Sequence, residues 1–134
     1  MKYLAIDLGD ARTGIALSES GIIATGLETY KRVALKKDLQ YIADLVRRYK
    51  IDVVVFGLPL NMDGTEGERV EKTRAFAEQL QPLIDAEIDY EDERLTSVVA
   101  EEMLIEGGMR RDKRKKVIDK IAATIILQAY LDRQ

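Results

Sequence analysis

Residues 2–18 read KYLAIDLGDARTGIALS, and this stretch decides the fold. Residues 2–8 are almost continuously apolar, the pattern of a central strand buried on both faces. Gly9-Asp10 is a turn signal, and residues 13–18 read as a second strand, so the two form a hairpin. Gly21 marks another turn before a third strand over 22–30. Leu35, Leu39, Ile42, Leu45, Val46 and Tyr49 then recur at helical spacing over 34–49. Residues 51–56 (IDVVVF) form a buried strand ending at Gly57. After a loop rich in Gly, Asn and Asp, a second helix is marked by Val70, Thr73, Phe76, Ala77, Leu80 and Ile84. A short strand follows at 87–90. Thr96 or Ser97 can cap a helix that Gly107-Gly108 stops, and a last helix covers 117–132.

The predicted order is β-β-β-α-β-α-β-α-α, without repeat or linker. An antiparallel meander feeding α-β-α-β crossovers makes an α/β fold, a mixed five-stranded sheet flanked by helices. With 134 residues, 46% of them hydrophobic, the chain is expected to form one domain over 1–134. No apolar run reaches the ~18–20 residues of a membrane span. The first residues lack a basic-then-apolar leader, so a cytoplasmic chain is expected.

The sequence holds neither cysteine nor histidine. That removes disulfides, thiolate nucleophiles, sulfur- or imidazole-ligated zinc and any Ser-His-Asp triad. Chemistry must come from Asp, Glu, Lys, Arg, Tyr, Ser or Thr, and carboxylates suit Mg²⁺ or Mn²⁺. The net charge is only −3, but its distribution is uneven. Residues 110–116, Arg-Arg-Asp-Lys-Arg-Lys-Lys, carry six basic and one acidic side chain, a net +5 that leaves −8 elsewhere. An acidic body with one basic segment fits a metal site beside a phosphate-gripping loop.

Three acids are candidates for that site. Asp7 lies inside the most apolar strand, where a carboxylate needs a cation or several donors, although binding the amides of the next turn would also satisfy it. Asp119 precedes Ala122, Ala123 and Ile126 by three, four and seven residues, at the edge of the buried face of the last helix. A negative charge near a helix N-terminus is also favoured by the dipole alone. The run Asp89-Tyr90-Glu91-Asp92-Glu93-Arg94 puts Asp89, Glu91 and Glu93 on one face of a regular strand and Asp92 on the other. Such a run is often merely solvated. As a set, a strand Asp, an acid ending a later strand and a helix Asp can converge at one end of the sheet, as in two-metal phosphoryl-transfer sites.

Two segments suit the substrate. Residues 57–67, GLPLNMDGTEG, follow a strand and open a helix, and their eleven residues exceed the ~2–6 usual for such loops. Asn61 lies within this loop, and Arg12, Arg69 and Arg94 flank these segments as phosphate contacts. Arg110, Arg111, Lys113 and Arg114 follow Gly107-Gly108-Met109. With no interleaved aromatic residue they form an electrostatic clamp on a flexible loop rather than a stacking platform.

IDLGDARTGIALS at 6–18, GLPLNMDGTEG at 57–67, DERLTS at 92–97 and IDKIAATIILQ at 118–128 together resemble the YqgF (RuvX) family. Its members are described as pre-16S ribosomal RNA nucleases and as Holliday-junction resolvases. The resemblance implies a ribonuclease-H-like fold related to the RuvC resolvase. It implies Mg²⁺- or Mn²⁺-dependent phosphodiester hydrolysis, with Asp7, Glu93 and Asp119 both catalytic and metal-binding. RuvC-type sites carry a fourth acid near the position of Asp119, whereas here the helix offers no further acid before Asp132. The partner is then a nucleic acid, pre-16S rRNA or a pre-ribosomal particle, with branched DNA as the alternative. No membrane is involved, and a monomer or weak homodimer is expected.

Three rivals differ in what they require. Holliday-junction resolution needs two sites related by a two-fold axis. An actin-like kinase or ATPase, suggested by Asp7-Leu8-Gly9 and Arg12-Thr13-Gly14, needs a second domain for which 134 residues leave no room. A non-catalytic ribosome-assembly factor would bind RNA without metal.

Overall fold

The computed structural model describes residues 1–93 and 111–134, with side chains from Lys120 onward in the last helix. Strands β1 (Tyr3–Leu8), β2 (Arg12–Ser18), β3 (Thr25–Lys31), β4 (Val53–Leu58) and β5 (Glu87–Asp92) form one sheet in the order β3-β2-β1-β4-β5. The apolar run is indeed central. β1 pairs antiparallel with β2 and parallel with β4, and β5 extends the parallel half.

Alternation along β1 sorts its side chains to two faces. Leu4, Ile6 and Leu8 join Ile42, Leu45, Phe56 and Phe76 beneath helices α1 (Leu35–Arg48) and α2 (Glu68–Leu80). Ala5 joins Ala16, Val53 and Val55 beneath helix α3 (Arg111–Asp132), which contributes Ala123, Ile126, Leu127 and Tyr130. Small side chains on the sheet let α3 approach closely. By the same period Asp7 belongs to the α3 face. Among the described residues no helix is long and apolar enough to cross a membrane.

Several boundaries differ from expectation. β4 continues through Gly57 to Leu58 because β5 pairs with it that far, Gly57 opposite Glu91 and Leu58 opposite Asp92. The second helix ends at Leu80 and tightens into a 3-10 turn over Gln81–Leu83, which contains Pro82. The largest correction concerns the basic segment. From Arg111 onward it is helical rather than a loop, so α3 takes in 111–116 as well as the expected 117–132. Arg and Lys are strong helix formers, and no Gly or Pro interrupts them. The expected helix before Gly107 lies outside the described residues.

Candidate active site

Asp7 stands one residue before the end of β1, opposite Gly14 of β2, with 9% of its surface exposed. Glu93 is the first residue after β5, anchored by its amide, which donates to the Leu58 carbonyl at 3.1 Å. Its side chain turns back over the sheet and hydrogen-bonds Asp7. Gly57 is the floor beneath it. A Cβ at Gly57 would stand 2.8 Å from Glu93 Oε2 and 2.6 Å from Ile126 Cδ1, so any side chain there would displace the carboxylate or α3.

Burial, and then the adjacent negative charge of Asp7, push the Glu93 carboxyl up to about 9. The Arg69 guanidinium works against this, and Asp92 adds to it. Two carboxylates this close cannot both ionise in a poorly solvated site without a cation, so they share a proton. The donor set is hard oxygen, which suits Mg²⁺ or Mn²⁺. Among the described residues no three acidic side chains cluster tightly enough to hold a metal. Asp119 lies in α3, three and four residues before Ala122 and Ala123, and its side chain lies outside the described ones.

The remaining acids of the 89–93 run do other work. Tyr130 donates its hydroxyl to Asp89 Oδ2 at 2.6 Å, and Arg133 Nε donates to Glu91 Oε1 at 2.9 Å. These contacts tie the end of α3 to β5. Burial, then the Asp89 hydrogen bond, raise the Tyr130 phenol. Asp92 is exposed, whereas Glu93 is half-buried against Asp7.

Arg69, in the first turn of α2, lines a narrow cleft with Leu8, Gly9, Asp10, Arg32, Lys72 and Thr73, and its charge acts on Glu93. Arg12 opens β2 on the surface. Asn61 holds its own loop, with Nδ2 donating to Thr65 Oγ1 at 3.0 Å while Thr65 donates its amide to Asp63 Oδ1 at 3.0 Å. Gly64, at φ 86°, closes that turn in the left-handed region that favours glycine. Arg94 and Arg110 lie outside the described residues. Arg111, Lys113 and Arg114 are on the first turns of α3, and their side chains lie outside the described ones.

Arg32 and Asp38 join the site without any expectation from the sequence. Asp38 is 3% exposed on the inner face of α1. Burial pushes its carboxyl up, but hydrogen bonds from the Val33 amide, Arg32 and Tyr30, with the Arg32 charge, outweigh this and hold it below its ordinary value. The available signal is that Asp38 falls within the apolar stripe of Leu35, Leu39 and Ile42.

A protein of Clostridium tetani named "Putative pre-16S rRNA nuclease" is 47% identical over 133 residues, covering 98% of this chain and 96% of that protein. A protein of the same name from Caldanaerobacter subterraneus is 47% identical over 136 residues, covering 100% and 98%. Thermus thermophilus RuvC, solved in complex with Holliday junction substrate, shares the fold at a TM-score of 0.62 with 14% identity, covering 99% of this chain and 95% of that one. The family model described as "RuvX: Holliday junction resolvase" matches residues 1–133, and the chain belongs to that family.

Proposed function

We propose that this chain hydrolyses phosphodiester bonds of pre-16S ribosomal RNA with a divalent cation held by Asp7, Glu93 and Asp119. Phosphodiester hydrolysis is the activity of the family to which it belongs. The observation that carries the residue assignment is the buried contact between Asp7 and Glu93. A pair of acids that must share a proton when alone is a pair built to surround positive charge. Asp119 supplies the third carboxylate from the α3 stripe that continues into Ala122, Ala123 and Ile126.

Bound Mg²⁺ or Mn²⁺ would supply Lewis-acid polarisation of the phosphoryl group and a lower pKa for the attacking water. The chain's residues do the rest. Asp7 and Glu93 release their shared proton and present oxygens. Arg69 holds a phosphate beside them, and Arg12, Arg94, Arg110, Arg111, Lys113 and Arg114 grip the flanking backbone. Asn61 shapes the loop along which the strand passes.

RNA is preferred over branched DNA because the relatives at 47% identity carry the ribosomal name, whereas the junction-bound RuvC is 14% identical. The work is assigned to the cytoplasm, by a single domain over 1–134 acting as a monomer or weak homodimer. The test is cleavage of a 5′-extended small-subunit rRNA precursor and of a four-way DNA junction, by wild type and Asp7→Asn, with Mg²⁺, Mn²⁺ or chelator. Cleavage of the precursor that Asp7→Asn and chelator both abolish is expected. Undiminished cutting by Asp7→Asn sinks the site assignment, and cutting of the junction alone transfers the substrate to DNA.

A further inference from the structure

Arg32 follows β3 and touches four parts of the fold. Its backbone N–H donates to the Ala11 carbonyl at 2.9 Å, and Nη1 donates to the Gly9 carbonyl at 2.9 Å. Nε donates to Asp38 Oδ2 at 3.0 Å, and the guanidinium lies 5.7 Å from the centre of the Phe76 ring. Gly9 and Ala11 form the turn leaving β1, and Gly9 stands two residues beyond Asp7. That turn has little slack. The Gly9 amide donates to the Arg12 carbonyl at 2.9 Å, and a Cβ on Gly9 would meet that oxygen at 2.4 Å.

Both oxygens of Asp38 are engaged, and one of them holds this arginine. Oδ1 accepts from the Tyr30 hydroxyl at 2.9 Å and the Val33 amide at 3.0 Å, leaving Oδ2 for Arg32. A buried ion pair is an inefficient source of stability, because apolar side chains can fill the same volume without the desolvation cost. The Ala11 contact uses only backbone, so any residue at position 32 can make it. The Gly9 carbonyl, by contrast, accepts from a guanidinium that reaches across from the end of β3 while also holding Asp38. What an arginine adds here is a fixed turn after Asp7.

We infer that Arg32, held by Asp38, is a positioning residue for phosphodiester hydrolysis: it clamps the Gly9 carbonyl and so sets Asp7 against Glu93. The inference rests on the nuclease reading above. Carboxylates that must share one cation tolerate little movement, and displacement by about 1 Å costs roughly 100-fold in rate.

The experiment is steady-state cleavage of a 5′-labelled rRNA-precursor fragment with Mn²⁺. The proteins are wild type, Asp7→Asn, Arg32→Lys, Arg32→Ala with and without millimolar guanidinium, and the double variant Arg32→Leu/Asp38→Asn. The double variant strands no buried charge, and circular dichroism fixes the folded fraction of every protein. Arg32→Lys and the double variant are expected to lose about 10- to 100-fold in kcat per folded molecule with KM little changed. Guanidinium should restore kcat to Arg32→Ala and do nothing for Asp7→Asn. A folded double variant within about twofold of wild-type kcat overturns the inference, as does a rise in KM alone, which would make Arg32 a substrate contact. A kcat that falls only in step with the folded fraction overturns it too. If wild type cuts nothing, the nuclease reading fails and takes this with it. If wild type cuts, Asp7→Asn does not and the Arg32 variants are unimpaired, only this inference fails.

Discussion

The Glu93 carboxyl hydrogen-bonds the Asp7 carboxyl directly above Gly57, so an acid of β1 and one just past β5 occupy one poorly solvated spot. Their backbones are fixed independently, Asp7 by the β1–β2 ladder and Glu93 by the Leu58 carbonyl. The fold of the backbone brings the two side chains to one place. Electrostatic strain is therefore built into the folded chain, and cation or proton must relieve it.

That strain has a sign in pH. Burial and the Asp7 charge raise Glu93 from 4.5 to about 9 in the folded chain. The folded state thus binds this proton more tightly than the unfolded state. The resulting stability is complete below the ordinary carboxyl value and is lost as pH rises toward the folded value. In chelator the melting temperature of wild type should fall between pH 5 and 9 relative to Glu93→Gln, which cannot titrate there. Adding Mn²⁺ should reverse the trend, with stabilisation that grows as pH rises. Parallel wild-type and Glu93→Gln curves would show that the pair does not meet in solution.

Burial is the larger cause of the raised Glu93 carboxyl and the Asp7 charge the next, and Asp7→Asn removes the second. Without metal at pH 8 the variant should be more stable than wild type, by about 1 kcal/mol, while cleaving nothing. Thermal melts in chelator measure the first part and precursor cleavage the second. A variant less stable than wild type would mean that Asp7 serves mainly to hold the Gly9–Arg12 turn.

Much of this is legible in the amino-acid pattern, for identifiable reasons. The 2–8 run marks the central strand because a two-sided buried strand has no polar face to confuse it. Asp7 stands out against that run. Period-2 alternation groups Asp89, Glu91 and Glu93, but their separate tasks depend on what α3 and β1 bring opposite, Tyr130, Arg133 and Asp7. No local pattern carries that. The 111–116 segment misleads because a charge run resembles a loop by composition while its residues favour helix. Arg32 and Asp38 stay hidden because their link to Gly9 joins β3, α1 and the first turn, contacts that exist only once the sheet is assembled.

Gly57→Ala should place its methyl 2.6 Å from Ile126 Cδ1 and 2.8 Å from Glu93 Oε2. Such overpacking costs typically about 1–3 kcal/mol. Ile126→Val removes one of the two clashes, so the double variant should recover part of the stability. Activity should not return, because the methyl still crowds Glu93. Chemical denaturation and cleavage assays on the double-mutant cycle separate the two effects. Recovery of both together would mean that Glu93 swings clear at no cost.

The basic start of α3 makes a prediction in which stability and binding move in opposite directions. Like charges three or four residues apart on a helix destabilise it, by about 0.2–0.5 kcal/mol per pair. Arg111 and Arg114 stand in that relation within α3, as do Lys113 and Lys116, and Arg110 immediately precedes them. Chain stability alone gives no reason to concentrate positive charge there, whereas a bound polyanion does. Replacing Arg110, Arg111, Lys113 and Arg114 by Gln keeps helix propensity while removing the charge. The variant should melt higher than wild type. It should also bind single-stranded RNA more weakly, with its log–log salt slope reduced by roughly 0.7 for each phosphate that is no longer neutralised. Fluorescence anisotropy across a salt series, in chelator so that no RNA is cut, gives the slope, and thermal melts give the stability. A higher melting point with an unchanged slope would show that these side chains face water and that the RNA is gripped elsewhere.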